Sequence, residues 1–162
     1  MATDRYKHHD YYLVDELLTE EHILIRNSVR EWVKKEVSPI VEDACQKATF
    51  PKQWIKGLAE IGAFGPYIPV EYGGGGLDQI AYGLIMMELE RGDSGLRSTA
   101  SVQSSLVMYP IYTYGSEEQR KKYLPKLASG EWMGCFGLTE PDHGSNPNGM
   151  ISNIKDKGDH FL

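Results

Sequence analysis

The chain has 162 residues, 41% hydrophobic and 10% aromatic, with 17 Lys+Arg against 23 Asp+Glu and a net charge of −6 at pH 7. That length suits one domain burying about 68–70% of its unfolded surface, and aromatics spread along the whole chain exclude a disordered polymer. The acidic balance, with no basic run longer than Arg120-Lys121-Lys122, excludes nucleic-acid binding by bulk charge. No apolar stretch approaches the ~20 residues that span a bilayer. The start Met1-Ala2-Thr3-Asp4-Arg5 fits neither a signal nor a transit peptide.

A polar leader occupies residues 1–16, where His8-His9 reads as a solvated pair. Thr19 is an expected N-cap, with Glu20 and Glu21 in the first turn where the helix dipole favours them. Ile23, Val29, Trp32, Val33 and Val37 recur at helical spacing, and Pro39 is expected to kink the helix before it resumes at Ile40-Val41-Glu42. Pro51 opens a second helix through Trp54, Leu58 and Ile61, which Gly62 stops.

The Gly73 to Gly76 run follows no strand and precedes no Lys-Ser or Lys-Thr, so it reads as a permissive turn rather than a phosphate loop. Asp78 restarts a helix to Glu90, Gly92-Asp93-Ser94-Gly95 breaks it, and a helix rich in small residues runs from about Leu96 to Tyr109. Met86-Met87 and Tyr109, Tyr112 and Tyr114 are assigned to the core. Ser116-Glu117-Glu118-Gln119 is a capping-box pattern for a charged helix ending near Pro125. From Glu131 the texture changes. Trp132 to Thr139 predicts a strand, and Glu140 to Pro147 a turn-rich loop.

The expected layout is therefore mainly α. A helical domain spans 17–130, and the first strands of a truncated second, β-type domain span 131–162. Cys45 and Cys135 are far apart and read as free thiols of a reducing, cytoplasmic compartment. No His, Cys or carboxylate pattern has metal-ligand spacing, so no metal is expected.

Two segments could carry chemistry. Arg97 opens a helix of small side chains, followed by Ser101, Ser104 and Ser105; its guanidinium could grip a carboxylate bidentately or simply pair with Glu90 or Asp93. Spacing alone favours the ion pair. Leu138-Thr139-Glu140-Pro141, with Gly144-Ser145 after it, could point backbone N–H groups and hydroxyls at one electron-rich group. On the residues alone an ordinary connecting turn is the preferred reading.

Leu138-Thr139-Glu140-Pro141-Asp142-His143-Gly144-Ser145 resembles the flavin-binding signature of the acyl-CoA dehydrogenases. Pro69-Val70-Glu71-Tyr72-Gly73-Gly74 and Tyr114-Gly115-Ser116-Glu117-Glu118-Gln119 with Tyr123-Leu124-Pro125 support it, in the right order, from about Leu17 to the end. Glu88 to Ser98, Ser101 to Met108 and Cys135 to Thr139 are similar to the glutaryl-CoA dehydrogenase branch. Where the family commonly has Asp after Gly-Ser, this chain has Asn146.

The resemblance implies an N-terminal helical domain, a middle β domain and a C-terminal bundle, of which this chain would hold the first and the opening of the second. It also implies FAD, an acyl-CoA substrate (glutaryl-CoA in that branch), electron-transfer flavoprotein as acceptor, and a homotetramer. By the same carry-over Phe136, Gly137, Leu138 and Thr139 contact the flavin, and Gly144 and Ser145 lie near the cofactor and the CoA thioester chain. Arg97 and Ser98 meet the far carboxylate, with Glu90 beside them. The glutamate base that takes the α-proton is implied to lie beyond Leu162, so no residue here is assigned as catalytic. Two alternatives stay open: an acyl-CoA dehydrogenase for monocarboxylic substrates, and a non-catalytic helical binding or assembly module.

Overall fold

The computed structural model describes residues 9–162; Met1 to His8 lie outside the described residues, and with them half of the leader and His8 of the histidine pair. Seven α-helices account for most of the order: α1 Glu20–Trp32, α2 Val41–Gln46, α3 Gln53–Glu60, α4 Gln79–Gly92, α5 Ser94–Ser101, α6 Tyr109–Tyr114 and α7 Glu117–Ala128. No helix among the described residues is long and apolar enough to cross a membrane.

The helix starts follow local chemistry. Thr19, Asp78, Asp93 and Ser116 each accept a backbone N–H of the first turn through the side chain, satisfying donors that have no intrahelical partner. At Thr19 the box closes through His22, whose Nδ1 accepts the Thr19 N–H at 3.3 Å while its Nε2 lies 2.9 Å from Asp78 Oδ2. One buried imidazole thus joins the N-termini of α1 and α4. Its partner Asp78 is 56 residues away in sequence.

Two stretches bond i→i+5 instead of i→i+4: Val33–Val37 continues α1, and Val102–Met108 joins α5 to α6. Each ends just before a proline. Ser38 N–H reaches Val33 O and Tyr109 N–H reaches Ser104 O, ahead of Pro39 and Pro110. Proline brings no N–H and its ring strikes the carbonyl four residues back, so a widened turn relieves both problems. For this reason the helix expected to end near Tyr109 runs on to Tyr114.

Pro125 likewise fails to end α7, which continues to Ala128. Leu124, Leu127 and Ala128 are buried and hold that last turn to the core, offsetting the lost bond. Pro51 sits two residues ahead of α3, its carbonyl accepting the Trp54 N–H.

The core is continuous. Val29, Val33 and Val37 meet Ile85 and Leu89 of α4; Leu96, Ala100 and Met108 close it from one side and Leu124 from another. The glycine run is a turn, as expected. Gly73 and Gly76 have φ of 86° and 63°, and a Cβ on Gly74 would stand 2.1 Å from Ile68 O. Met87, Tyr109 and Tyr114, assigned to the core from sequence, are exposed, because they fall on the outer faces of α4 and α6; Met86 and Tyr112 do pack against it.

The segment predicted as a strand, Trp132 to Thr139, pairs with no strand among the described residues, where only the isolated bridges Glu140–His143 and Asp156–Phe161 occur. Ladder bonds are made between strands, so alternation alone cannot build one. Its backbone is held instead by a helix side chain, described below.

At the centre, the fully buried Glu88 carboxylate accepts Arg30 Nε at 3.0 Å and Nη2 at 2.8 Å, with Arg91 Nε 3.6 Å away. Removing one member of such a pair leaves the other's charge poorly compensated. Glu88→Ala is expected to cost about 3 kcal/mol, the low end for buried pairs because Arg30 keeps some water contact. Urea unfolding checks it, and Arg30→Met/Glu88→Leu should regain most of the loss.

Candidate functional site

The break between α4 and α5 positions the first cluster. Asp93 takes an extended conformation (φ −165°, ψ 132°), which turns the chain, and its carboxylate caps α5 by accepting the Leu96 N–H at 2.7 Å. Arg97, one turn in, then faces back toward α4. Its Nε donates to Glu90 Oε2 at 2.6 Å and its Nη1 to Ser101 Oγ at 3.3 Å; Ser94 Oγ donates to Glu90 Oε1 at 2.6 Å.

The ion pair favoured by spacing is therefore present, with Glu90 as the partner and Asp93 spent on the cap. Arg97, followed by the Ser94 hydroxyl, holds the Glu90 carboxyl below the usual carboxylate range. Arg97 Nη2 and the Ser98 hydroxyl make no hydrogen bond among the described residues, and Arg97 is about one-third exposed (35%). The cluster is a guanidinium held from one side and open on the other, which suits a planar anion.

The three serines that follow separate. Ser101 faces Arg97. Ser104 turns inward, accepting Gly65 N–H at 2.9 Å and donating to Ala63 O at 3.1 Å. Ser105 bonds the hydroxyls of Tyr67 (3.2 Å) and Tyr82 (2.7 Å) beside a cavity of about 300 Å³ that Gln79 and Tyr109 also line. Burial, the largest influence there, pushes the Tyr67 phenol up. Tyr67 and Tyr82 lie in different elements and carried no sequence signal.

The second cluster follows Gly134. Phe136, Gly137, Leu138 and Thr139 are exposed, a Cβ at Gly137 would meet open space, and a Cβ at Gly144 would touch Thr139 Cγ2 at 3.7 Å. Thr139 and the Gly144-Ser145 turn are thus neighbours. Glu140 closes the turn: its N–H and carbonyl pair with His143, and its carboxylate accepts Ser152 N–H at 2.8 Å and Ile151 N–H at 3.0 Å. The Ser152 hydroxyl first, and then those two N–H groups, keep its carboxyl below the ordinary range. The backbone N–H groups of 136–139 and the Thr139 hydroxyl donate to nothing among the described residues, and such a set of donors suits an electron-rich ring edge with carbonyl oxygens.

Direct hydrogen bonds between the two clusters are absent among the described residues. The link is Gln103, which sequence reasoning passed over. Buried at 1% exposure, it donates through Nε2 to Leu127 O and Trp132 O and accepts Gly134 N–H through Oε1, each at 2.9 Å. A glutamine inside a run of serines gives no hint of such partners.

Residues 19–131 match the profile of the acyl-CoA dehydrogenase, N-terminal domain. A glutaryl-CoA dehydrogenase of Desulfococcus multivorans is 41% identical over 148 residues, covering 90% of this chain and 38% of that protein. The structure of a glutaryl-CoA dehydrogenase from Mycobacterium smegmatis in complex with FADH2 superposes with a TM-score of 0.88 at 45% identity, over 93% of this chain and 39% of that one. Butyryl-CoA dehydrogenase from Megasphaera elsdenii gives a TM-score of 0.78 at 32% identity, over 85% and 37%. The chain therefore spans well under half the length of these relatives.

The Glu140 carboxyl is lowered in the folded chain, so its bonds contribute order that is full above the unfolded value of about 4.3 and lost as pH falls through the lower folded value. Hydrogen exchange at Ile151 and Ser152 should be slowed at pH 6. Glu140→Gln should remove much of that protection at pH 6 and flatten its pH dependence.

Proposed function

Because this chain belongs to the acyl-CoA dehydrogenase family, we propose that it forms the N-terminal, ligand-facing part of an FAD-dependent enzyme that oxidises glutaryl-CoA. The single observation that carries the substrate is the half-held guanidinium of Arg97 at the start of a small-residue helix. Bound FAD would supply the two-electron acceptor for α,β-dehydrogenation of the thioester.

This chain's residues do the holding. The Arg97 Nη groups take the far carboxylate of glutaryl-CoA and Ser98 adds a hydroxyl, while Glu90 keeps the guanidinium in place before substrate arrives. Backbone groups of Phe136, Gly137, Leu138 and Thr139, with the Thr139 hydroxyl, meet the flavin ring edge where negative charge develops; fixed donors there favour the transition state. Gly144 and Ser145 border the cofactor and the thioester chain. Asn146, where the family commonly has Asp, removes a charge from this turn and leaves its hydroxyl and backbone donors in place.

The carboxylates of these clusters are committed elsewhere, Asp93 to capping α5. Glu90 is paired with Arg97 and Glu140 accepts two backbone N–H groups. The base is assigned outside these 162 residues. Loss of the far carboxylate as CO2 after oxidation leaves crotonyl-CoA. Electron-transfer flavoprotein as acceptor, a homotetrameric assembly and a cytoplasmic location complete the proposal.

A second reading draws on the same pair. Glu90 already neutralises Arg97, as it would in an enzyme for monocarboxylic acyl-CoA, and the butyryl-CoA dehydrogenase likeness agrees with that. Hybrid enzymes separate the two, with this chain replacing the matching N-terminal part of the Desulfococcus multivorans glutaryl-CoA dehydrogenase. Arg97→Met should lower kcat/KM for glutaryl-CoA by about 1.5–3 kcal/mol, roughly 10- to 150-fold, and leave butyryl-CoA nearly unchanged. Equal losses on both substrates overturn the dicarboxylate reading.

A further expectation concerns the 162-residue chain by itself. It should bind FAD weakly and show no steady dye reduction with glutaryl-CoA or butyryl-CoA, because the base that takes the α-proton is assigned outside it. Stoichiometric FAD with turnover would place the base within these residues; no binding and no turnover would favour the non-catalytic module.

A further inference from the structure

Gln103 sits at the second residue of the i→i+5 stretch that joins α5 to α6. Its amide uses both donors and its acceptor oxygen within the protein: Leu127 O at the end of α7, Trp132 O after it, and Gly134 N–H two residues further. The amide orientation is fixed by this pattern, since two carbonyls need N–H and one N–H needs oxygen. A carboxylate of the same shape would face two carbonyls with no hydrogen to offer.

Val107, one turn along the same stretch, completes the grip. A Cβ on Gly134 would lie 2.4 Å from Val107 Cγ1, so the strap passes as close to the helix as a glycine allows. The stretch Met133 to Thr139 has no strand partner among the described residues, and its backbone is hydrogen-bonded only at Gly134. Phe136 starts two residues beyond that anchor. Arg97 lies six residues before Gln103 on the same continuous helix.

We infer that Gln103 is a positioning residue: it sets where the segment from Phe136 to Thr139 begins and ties it to the helix that carries Arg97. This rests on the reading that 136–139 meets the flavin. A core glutamine serving only stability would fix the end of α7 and leave the cofactor contact unaffected.

The test uses the whole chain with FAD as the probe. Gln103→Met removes the three bonds. Gly134→Ala pushes the strap off Val107 while Gln103 keeps its two bonds to Leu127 O and Trp132 O, so it reads the same effect if the first variant folds poorly. Ser104→Ala is the control, because it loosens the Ala63–Gly65 loop from the same helix and leaves the strap alone. Exchange at the Gly134 amide should rise about tenfold or more in Gln103→Met and stay unchanged in Ser104→Ala.

FAD affinity, followed by quenching of flavin fluorescence, should fall about tenfold or more in Gln103→Met and Gly134→Ala. Ser104→Ala should keep wild-type affinity even where its melting temperature drops. Affinity falling no further in both strap variants than in the control overturns the positioning role, whatever exchange shows. Unchanged Gly134 exchange in Gln103→Met overturns the clamp itself. An unmutated chain with no saturable quenching overturns the flavin reading and the positioning role with it, and Gly134 exchange then reports the clamp separately.

Discussion

Most of this structure depends on one buried carboxylate. Glu88 has no contact with water, and an ion in that position persists only if its lone pairs are taken by well-placed donors. Arg30 supplies two from α1, with Arg91 of α4 close by. Satisfying Glu88 therefore fixes both the distance between α1 and α4 and the rotation of α4 about its axis. With Glu88 turned inward, Glu90 faces outward at the end of the helix, where Arg97 meets it. The geometry of the Arg97 cluster is a consequence of how a neighbouring charge was buried.

The second constraint is steric. Pro39 and Pro110 each follow a stretch of widened helix, and in the later one the register decides which side chains point inward. Gln103 and Ser104 are adjacent, yet both are buried and both bond backbone groups on other segments: Ser104 the Ala63–Gly65 turn, Gln103 the exit from α7. Ser101 and Ser105 remain on the side of Arg97 and the Tyr67–Tyr82 cavity. A single helix thus carries Arg97 on one side and pins two loops with another.

Electrostatically the two clusters contrast. The first holds one cation that its partner carboxylate only half satisfies; the second is nearly uncharged and made of backbone donors with hydroxyls. Glu140, its one buttressing carboxylate, is spent on the Ile151 and Ser152 amides. Such an arrangement suits binding and orientation rather than proton transfer, since a carboxylate with lone pairs already committed to backbone N–H groups is a poor base.

The local rules were legible in the sequence. Side-chain oxygens at Thr19, Asp78 and Ser116 mark helix starts because a cap satisfies donors within the same turn, and that needs no knowledge of the rest of the chain. The glycine turn and the order of the family motifs were legible for the same reason, being patterns of neighbours. What tertiary structure decided were the interactions across distance: His22 with Asp78, Glu88 with Arg30, Gln103 with Trp132 and Gly134. It also decided that Pro125 stays inside α7 and that Trp132 to Thr139 is held by a helix and forms no ladder among the described residues. Sequence specifies which groups need a partner, and only the packed chain specifies which partner comes within hydrogen-bond reach.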